Sequence, residues 1–478
     1  MASTRQLVIA TKLQDNGPFH VSNLTQESAD KLAQLLTSNH DKYHLSYHQF
    51  GLHITSSRQA DLALDHILHH LLCIYALGAT PLQMEKAFDL NAVYQLPSHY
   101  ANSGHAQQLA DPVEFKKCLG DSKYFNDYFL FFCKEIETHG IPTTVNTFIF
   151  GDDERATDMF DRFFGGYLHC IIHLGYALEY MQPFLVAEAL ASTAVHLPEL
   201  HDFLLPTEKV APSTASVSQV EIFEQIRANT RIRSAMHYDY IDKINDGLIG
   251  EAGDELFRVI SQWKVSVDEV EVKATELFNA CVYYTTMAQR SNKQIRFDFM
   301  LMHTVTTATF LPVYLKTDWI KPESKARLVE WLGRANLLLY AECGAPEPRP
   351  EELKTYKPLH PSGWDGVFQR ACEYEDDGHT SKFVRGIATV AQMTEQCGEN
   401  LSFKLAHQED FLTIAHMIID SVENFDKSAD HEVHEVRKVS LYPRITEPEV
   451  QLVIARWPRY VGFEQGWHHV PDRQELYL

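Results

Sequence analysis

The chain has 478 residues, 45% of them hydrophobic and 22% charged, so it can bury a large core and is not expected to be disordered overall. Its formal net charge of −22 argues against a protein that binds nucleic acid or anionic membranes, because both kinds of binding need a basic surface. The eight cysteines are scattered without a C-x-x-C pair, and neither a secretory signal core nor an apolar run of membrane-spanning length is found, which predicts a soluble cytoplasmic protein with reduced thiols.

Helical periodicity dominates the chain from its N-terminal end. Ser28 is the predicted N-cap of a first helix that places Leu32, Leu35 and Leu36 on one face. A second helix, apolar nearly all round, is predicted to end at Gly78. With these two included, helices are predicted over 28–40, 61–78, 112–138, 168–198 with a hinge near Gln182 and Pro183, 219–230, 253–262, 266–289, 296–311, 323–342, 380–394 and 407–426.

Strand signals are sparse and concentrate near the two ends of the chain. β-Branched runs predict minor strands over 5–13, 436–445 and 449–457. Stretches rich in turn residues predict loops near 204–218 and 343–364. Neither loop separates regions of different composition. We therefore expect a mainly α fold, with one large helical domain over 1–478 that includes a C-terminal extension, 427–478.

Histidine accounts for 25 of the residues, and several histidines lie in strongly apolar helices, where an ionisable side chain needs a partner or a function. Any one of them is explained by a neutral imidazole bonded to a backbone carbonyl or a tyrosine. Four such segments together favour a metal site in the helix core, since neutral imidazoles are good nitrogen ligands. The positions are His66, His69 and His70, then His169 and His173, then His303, and finally His379.

A metal site made of histidines alone would lack the anionic ligand that ferrous centres with two histidines and a carboxylate contain. The nearby acidic residues do not provide an obvious one. Asp65, Glu179 and Glu188 lie off the histidine faces of their helices or are better placed to contact the histidines than a metal. Another residue must supply the negative charge.

Lys382 offers a source of that charge, because it lies three residues after His379 and shares a helix face with it. Burial lowers the pKa of a lysine, and its neutral amine can add carbon dioxide to become an anionic carbamate. A carboxylated Lys382 would be an oxygen ligand. The alternative is an ordinary ion pair between Lys382 and Asp376 or Asp377 at the start of the helix.

Four segments occur in a particular order and at particular separations: DHILHHLLCIYALGAT; LHCIIHLGYALEY followed by EALASTAVH; RFDFMLMHTVTTATFL; and DDGHTSKFVRGI. Together with LTSNHDKYHLSYHQFGLH, they resemble the questin oxidase-like family of fungal anthraquinone-modifying enzymes over 25–425. One departure concerns the His-Asn-His motif of the family. This chain reads Leu64, Asp65 and His66 there, after an apparent insertion, so only His66 is carried over.

The resemblance implies an oxygen-dependent opening of the central ring of an anthraquinone, such as questin or emodin, to a benzophenone in fungal polyketide biosynthesis. The outcome is formally of the Baeyer–Villiger type. The implied cofactors are Fe(2+) and a carboxylated lysine, with NADPH as a candidate external reductant. The ligands that the resemblance implies in this chain are His66, His169, His303, His379 and Lys382.

Other residues are predicted to surround these ligands, and no catalytic residue beyond the ligands is predicted. His70 and His173 become their neighbours, with His173 as the first replacement if one assignment fails. The stripe of Tyr124, Tyr128 and Phe132 is predicted to line the substrate pocket or to belong to the ordinary core. Tyr176 and Arg385 are candidates for orienting substrate oxygens.

Three alternatives remain open at this point. An NADPH- or flavin-dependent Baeyer–Villiger monooxygenase would need a G-x-G-x-x-G element, which this sequence lacks. A two-metal hydrolase would need more carboxylate ligands. A helical binding protein would use every histidine structurally. The predicted partners are an aromatic polyketide and O2, with neither nucleic acid nor membrane, and the oligomeric state is not predicted.

Overall fold

The computed structural model describes residues 7–13, 17–47, 66–92, 95–97, 104–210, 217–398, 403–428 and 456–473. The fold is mainly α-helical, as predicted. Two compact groups of residues can be distinguished. The first unit contains the described residues up to Asp202 together with Phe310–Leu328, and the second unit contains those from Phe203 to Thr309 and from Val329 onward. The assignment of 1–478 to a single domain stays a prediction.

Helices make up most of the described residues. In chain order they are α1 (Gln26–Lys42), α2 (His66–Ala76), α3 (Pro81–Ala92), α4 (Pro112–Cys118), α5 (Phe125–Phe148), α6 (Glu154–Arg162), α7 (His169–Glu179), α8 (Pro183–Val195), α9 (His201–Lys209), α10 (Gln219–Ala228), α11 (Thr230–Ser234), α12 (Gly250–Ile260), α13 (Val270–Met287), α14 (Phe299–Ala308), α15 (Leu311–Lys316), α16 (Pro322–Glu342), α17 (Pro350–Lys354), α18 (Trp364–Glu373), α19 (His379–Cys397) and α20 (Gln408–Ser428). Single turns of 3-10 helix cover Gln108–Ala110, Ser122–Tyr124, Val267–Glu269 and Gln465–Trp467, and a π-helix covers Lys243–Ile249.

The first helix begins earlier than predicted. The Thr25 side chain accepts a hydrogen bond from the Ser28 backbone N–H, so Thr25 is the N-cap and Ser28 lies inside α1. The three predicted core leucines of α1 are buried. In α2 all residues are buried, as expected for a helix that is apolar nearly all round. The predicted start of this helix, 61–65, lies outside the described residues.

The helix predicted over 112–138 is two helices. Leu119 is extended and ends α4, and Gly120, with a φ of +76°, begins a short connection to α5. α5 then continues to Phe148 across a bend at Gly140, whose φ is +77°. In the same unit, α7 and α8 meet at Gln182 as predicted, because Pro183 starts a new helix readily but cannot continue one.

Several elements differ from the prediction. The loop predicted at 204–218 is helical up to Lys209, and the loop at 343–364 contains the short α17. α3, α6 and α18 were not predicted. The only strands among the described residues are Tyr43–Tyr47 (β1) and Gln95–Pro97 (β2), which pair antiparallel in the first unit. Residues 7–13 form no strand. The strand predicted over 436–445 and residues 449–455 of the one predicted over 449–457 lie outside the described residues, and Arg456 and Trp457 are not in a strand.

None of the helices described here is both long enough and apolar enough to cross a membrane.

Candidate functional site

α2 and α7 bring four imidazoles together inside the first unit. The two nearest nitrogens are Nε2 of His66 and Nε2 of His169, 3.3 Å apart, and their rings are almost parallel. His69 lies one turn after His66, with its ring centroid 5.1 Å from that of His173. Both helices are apolar and buried, so these imidazoles stand where little solvent reaches them. The structure thus brings His66 together with His169.

The backbone before α7 fixes the orientation of the His169 ring. Its Nδ1 lies 2.7 Å from the carbonyl oxygen of Gly166, which can only accept, so we assign the proton to Nδ1 and the lone pair to Nε2. Gly166, Tyr167 and Leu168 all have positive φ, at 59°, 54° and 67°. Such a conformation is costly for tyrosine and leucine, and strain of this kind concentrates at functional sites.

The separation of the two Nε2 atoms suits ligands of one metal ion. Imidazole nitrogens bind first-row metal ions at about 2.0–2.1 Å, so two of them at right angles around one ion stand about 3 Å apart. The 3.3 Å between His66 and His169 is close to that value. If His66 carries its proton on Nε2, this contact is a hydrogen bond to His169; if both Nε2 atoms carry lone pairs, a metal ion between them would remove their repulsion. The donor set of the first unit therefore fits a metal ion.

In the second unit, α14 and α19 place His303 next to His379, with ring centroids 5.4 Å apart. Nδ1 of His303 lies 2.7 Å from the Phe299 carbonyl oxygen, and Nδ1 of His379 lies 2.5 Å from a carboxylate oxygen of Asp377. Both partners accept, which again leaves Nε2 as the lone-pair nitrogen. A carboxylate or carbonyl on Nδ1 is the usual partner of a histidine whose Nε2 binds a metal.

The start of α19 is built around buried carboxylates. Asp376 accepts hydrogen bonds from the backbone N–H groups of Gly378 and Thr380 and from the Thr380 hydroxyl, so it caps the helix. Asp377 holds His379 instead. One turn further, the side chain of Lys382 is only 4% exposed. Little water therefore reaches the amine of this lysine.

Close contact between α14 and α19 depends on Gly386. A Cβ at this position would stand 3.0 Å from a methyl of Val305 and 3.0 Å from the Thr309 hydroxyl, which is tighter than ordinary contact. The missing side chain lets the two helices approach, and their N-terminal turns carry His303 and His379.

Comparison with known proteins identifies the family of this chain. Residues 64–387 match the model of the Questin oxidase-like family. The chain belongs to the questin oxidase-like family. It is 35% identical to the Oxidoreductase AflY of Aspergillus parasiticus, over 96% of this chain and 92% of that protein. It is 31% identical to the Questin oxidase of Aspergillus fumigatus, over 98% and 100%, and 29% identical to the Baeyer-Villiger monooxygenase dmxR6 of Cryptosporiopsis sp., over 95% and 96%.

The other predicted residues of this questin oxidase-like chain lie at different distances from the histidines. Tyr176 stacks on His69, with ring centroids 5.3 Å apart, and so belongs to the cluster of the first unit. His70 instead contacts the side-chain amide of Asn91 on α3, at 3.4 Å. Tyr128 donates its hydroxyl to the Phe115 carbonyl in a cluster of phenylalanines.

Arg385 and His173 are both fully buried, in the second and the first unit respectively. Burial lowers the pKa of His173 to about 3, with a smaller lowering by His196, so this imidazole stays neutral. Its Nε2 lies 3.9 Å from a carboxylate oxygen of Glu188, whose other oxygen is 2.8 Å from Nδ1 of His40. His173 therefore lies beside a buried carboxylate without a hydrogen bond to it.

Three contributors to the candidate site in this family member had no predicted role or a different one. His69 is among the histidines of the apolar helices but was assigned no role, although its i, i+3 spacing to His66 places both on one face. Asp377 was predicted only as an alternative partner of Lys382, and in the structure one of its carboxylate oxygens lies 2.5 Å from Nδ1 of His379. Phe299, which contacts two imidazoles, gave no signal beyond an apolar residue at a helix start.

Gly175 allows Phe310 to pack against the same helix face as Tyr176, and Gly175→Ala is expected to lower the free energy of unfolding. The added Cβ would lie 2.4 Å from Cγ of Phe310, whose ring centroid is 4.4 Å from that of Tyr176. Overpacking of this kind costs about 1–3 kcal/mol, which chemical denaturation would measure.

Gly253→Ala in α12 is the matched control for this helix glycine. Its Cβ would make only ordinary contacts, with the nearest atom 3.7 Å away, and replacing a helix glycine by alanine stabilises by about 0.5–1 kcal/mol where it fits. An equal effect of both substitutions would contradict the packing argument.

Proposed function

We propose that this protein is an iron-dependent oxygenase that cleaves a carbon–carbon bond in the central ring of an anthraquinone and gives a benzophenone. The observation that supports it most is the close approach of the Nε2 atoms of His66 and His169, 3.3 Å apart in a buried, apolar setting. The names of the relatives support the substrate class, since several are questin oxidases or Baeyer-Villiger oxidases.

In this proposal, five side chains hold one iron ion per chain. Four histidines would bind through Nε2, and in three of them Nδ1 is already held by a backbone carbonyl or a carboxylate. The buried amine of Lys382 would react with CO2 and supply the anionic oxygen. These ligands are His66, His169, His303, His379 and carboxylated Lys382.

When bound, iron would supply the redox chemistry that lets O2 react with an organic substrate. The protein's own residues would keep water away and hold the ring in place. Tyr176, whose hydroxyl sits on a ring stacked against His69, is the proposed donor to a substrate oxygen in the first unit, and Arg385 is the proposed cation in the second. Localisation in the cytoplasm is part of the same proposal.

The proposed reaction balances if the substrate is the reduced, hydroquinone form of the anthraquinone. Adding O2 to this form gives a benzophenone that carries a new carboxyl group and a new phenol, and no further electrons are needed. From the quinone itself, two electrons and two protons are also required, and NADPH is the proposed source. Both oxygen atoms of O2 would then be found in the product.

Two measurements test this function. Elemental analysis of the purified protein should find about one iron per chain, and incubation under 18O2 should label both new oxygen atoms of the product. Protein without iron that still cleaves an anthraquinone would contradict the proposal.

The names of several relatives favour a second candidate, a Baeyer–Villiger monooxygenase that uses NADPH. Such an enzyme inserts one oxygen atom from O2 to form a lactone, which water then opens. Only one of the two new oxygen atoms would carry the label, so the same 18O2 experiment separates the two functions.

A further inference from the structure

The described residues near the C-terminus, 456–463, pack onto the second unit beyond the range that matches the family, which ends at 387. We refer to them as the C-terminal segment. Trp457 and Val461 of this segment are buried. The backbone N–H of Gly462 donates to the Cys343 carbonyl at 2.9 Å, and a Cβ on Gly462 would stand only 2.4 Å from that oxygen. Close backbone contacts therefore hold the C-terminal segment in place.

Asp298 joins the C-terminal segment to the first turn of α14. One of its carboxylate oxygens accepts from the N–H groups of Met300 and Leu301, at 2.7 and 3.0 Å, and so caps the helix. The other oxygen accepts from the Val461 N–H at 2.8 Å. Burial raises the pKa of Asp298 to about 6, although these N–H groups oppose the shift, so at pH 7.5 the carboxylate is ionised and accepts through both oxygens.

Phe299 extends this link to the imidazoles. Its N–H donates to the Pro458 carbonyl at 2.8 Å, and its own carbonyl lies 2.7 Å from Nδ1 of His303. The ring centroid of Phe299 is 4.9 Å from that of His303 and 4.9 Å from that of His379. The guanidinium of Arg459 lies over the same ring at 5.1 Å. Phe299 thus contacts both imidazoles and the C-terminal segment.

We propose that the C-terminal segment orients His303 and His379 through Phe299, with Asp298 and Arg459 as positioning residues. The inference rests on the proposed function, because it takes both histidines to be iron ligands. The Phe299 ring packs against both imidazoles, and its carbonyl oxygen accepts a hydrogen bond from His303. A shift of the Phe299 backbone therefore moves the hydrogen-bond acceptor of His303 and the ring beside His379 together. Partners that orient ligand histidines typically change metal affinity about 10- to 100-fold when they are removed.

Asp298→Asn separates the two roles of Asp298. Asparagine is also a good N-cap, and its single carbonyl oxygen can keep the two bonds to Met300 and Leu301. Its NH2 group would then face the Val461 N–H, so two donors would meet and the link to the C-terminal segment would be lost. We expect hydrogen exchange over 456–463 to rise at least tenfold, and the affinity for Fe(II), titrated without oxygen, to fall about 10- to 100-fold.

Two further variants complete the experiment. Asp153→Asn is the matched control, because Asp153 caps α6 through Ala156 and has no such second role; it should change neither quantity. Arg459→Ala leaves every hydrogen bond of Asp298 in place and should weaken Fe(II) binding less than Asp298→Asn, with partial recovery in Arg459→Lys. This variant keeps the inference testable if Asp298→Asn does not fold.

The outcomes can be told apart. Faster exchange in 456–463 with unchanged Fe(II) affinity would overturn the positioning role, and unchanged exchange would overturn the link through Asp298. If the unmodified protein binds no Fe(II), the proposed function fails. In that case hydrogen exchange over α14 and the first turns of α19 tests the inference by itself. If Asp298→Asn released the C-terminal segment without increasing exchange in these helices, the inference would be overturned.

Discussion

Lys382→Ala is expected to remove bound iron and to abolish anthraquinone cleavage. The Lys382 side chain is buried on the same helix as His379, so the proposed carbamate would be an iron ligand and not a surface charge. Removing a residue that only orients an iron ligand lowers metal affinity by about 10- to 100-fold, and removing a ligand itself should lower it further. Metal content and turnover of the variant measure both effects.

Chemical rescue makes this prediction specific to a carbamate. The alanine variant leaves space for a small carboxylate, so acetate or bicarbonate should restore part of the iron content and activity. Lys321→Ala is the control: this exposed lysine makes an ion pair with Asp152 at 3.2 Å, and surface pairs of this kind contribute about 0–1 kcal/mol. If Lys382→Ala kept its iron, or if Lys321→Ala lost it, the role of the carbamate would be wrong.

The helices that carry the proposed ligands could be predicted because their apolar runs are long and continuous. α2, α7 and α14 lie within predicted helices, and α19 extends the helix predicted over 380–394 by one residue at its start and three at its end. α3, α6 and α18 were missed because charged residues interrupt their apolar positions. At the start of α1, two hydroxyl residues three positions apart could both cap the helix, and only the hydrogen bond from Ser28 to Thr25 decides between them.

Within the candidate site, the sequence predicted which helices carry imidazoles better than it predicted what each imidazole contacts. α2 is apolar on every side, so its sequence pattern does not show which side of the helix faces the other imidazoles. His69 and His70 were therefore equivalent candidates. In the structure His69 stacks on Tyr176, whereas His70 contacts Asn91. The partners of the rings come from backbone carbonyls and from residues in other helices, which a sequence pattern does not contain.

The pair of His66 and His169 leads to the second large expected effect. His66→Ala and His169→Ala should each lose most of the bound iron and reduce turnover by at least about 100-fold. Because both nitrogens would bind the same ion, the double variant should be little worse than either single variant. Iron content and single-turnover rates of the three variants measure this coupling.

His70→Ala is the matched control on α2. It removes a buried contact to Asn91, so it should cost about 1–3 kcal/mol of stability, while its iron content stays near that of the unmodified protein. His69→Ala distinguishes a remaining possibility on the same helix. If His69→Ala lost the iron and His66→Ala kept it, His69 would replace His66 as the ligand from α2, since both rings lie beside that of His169.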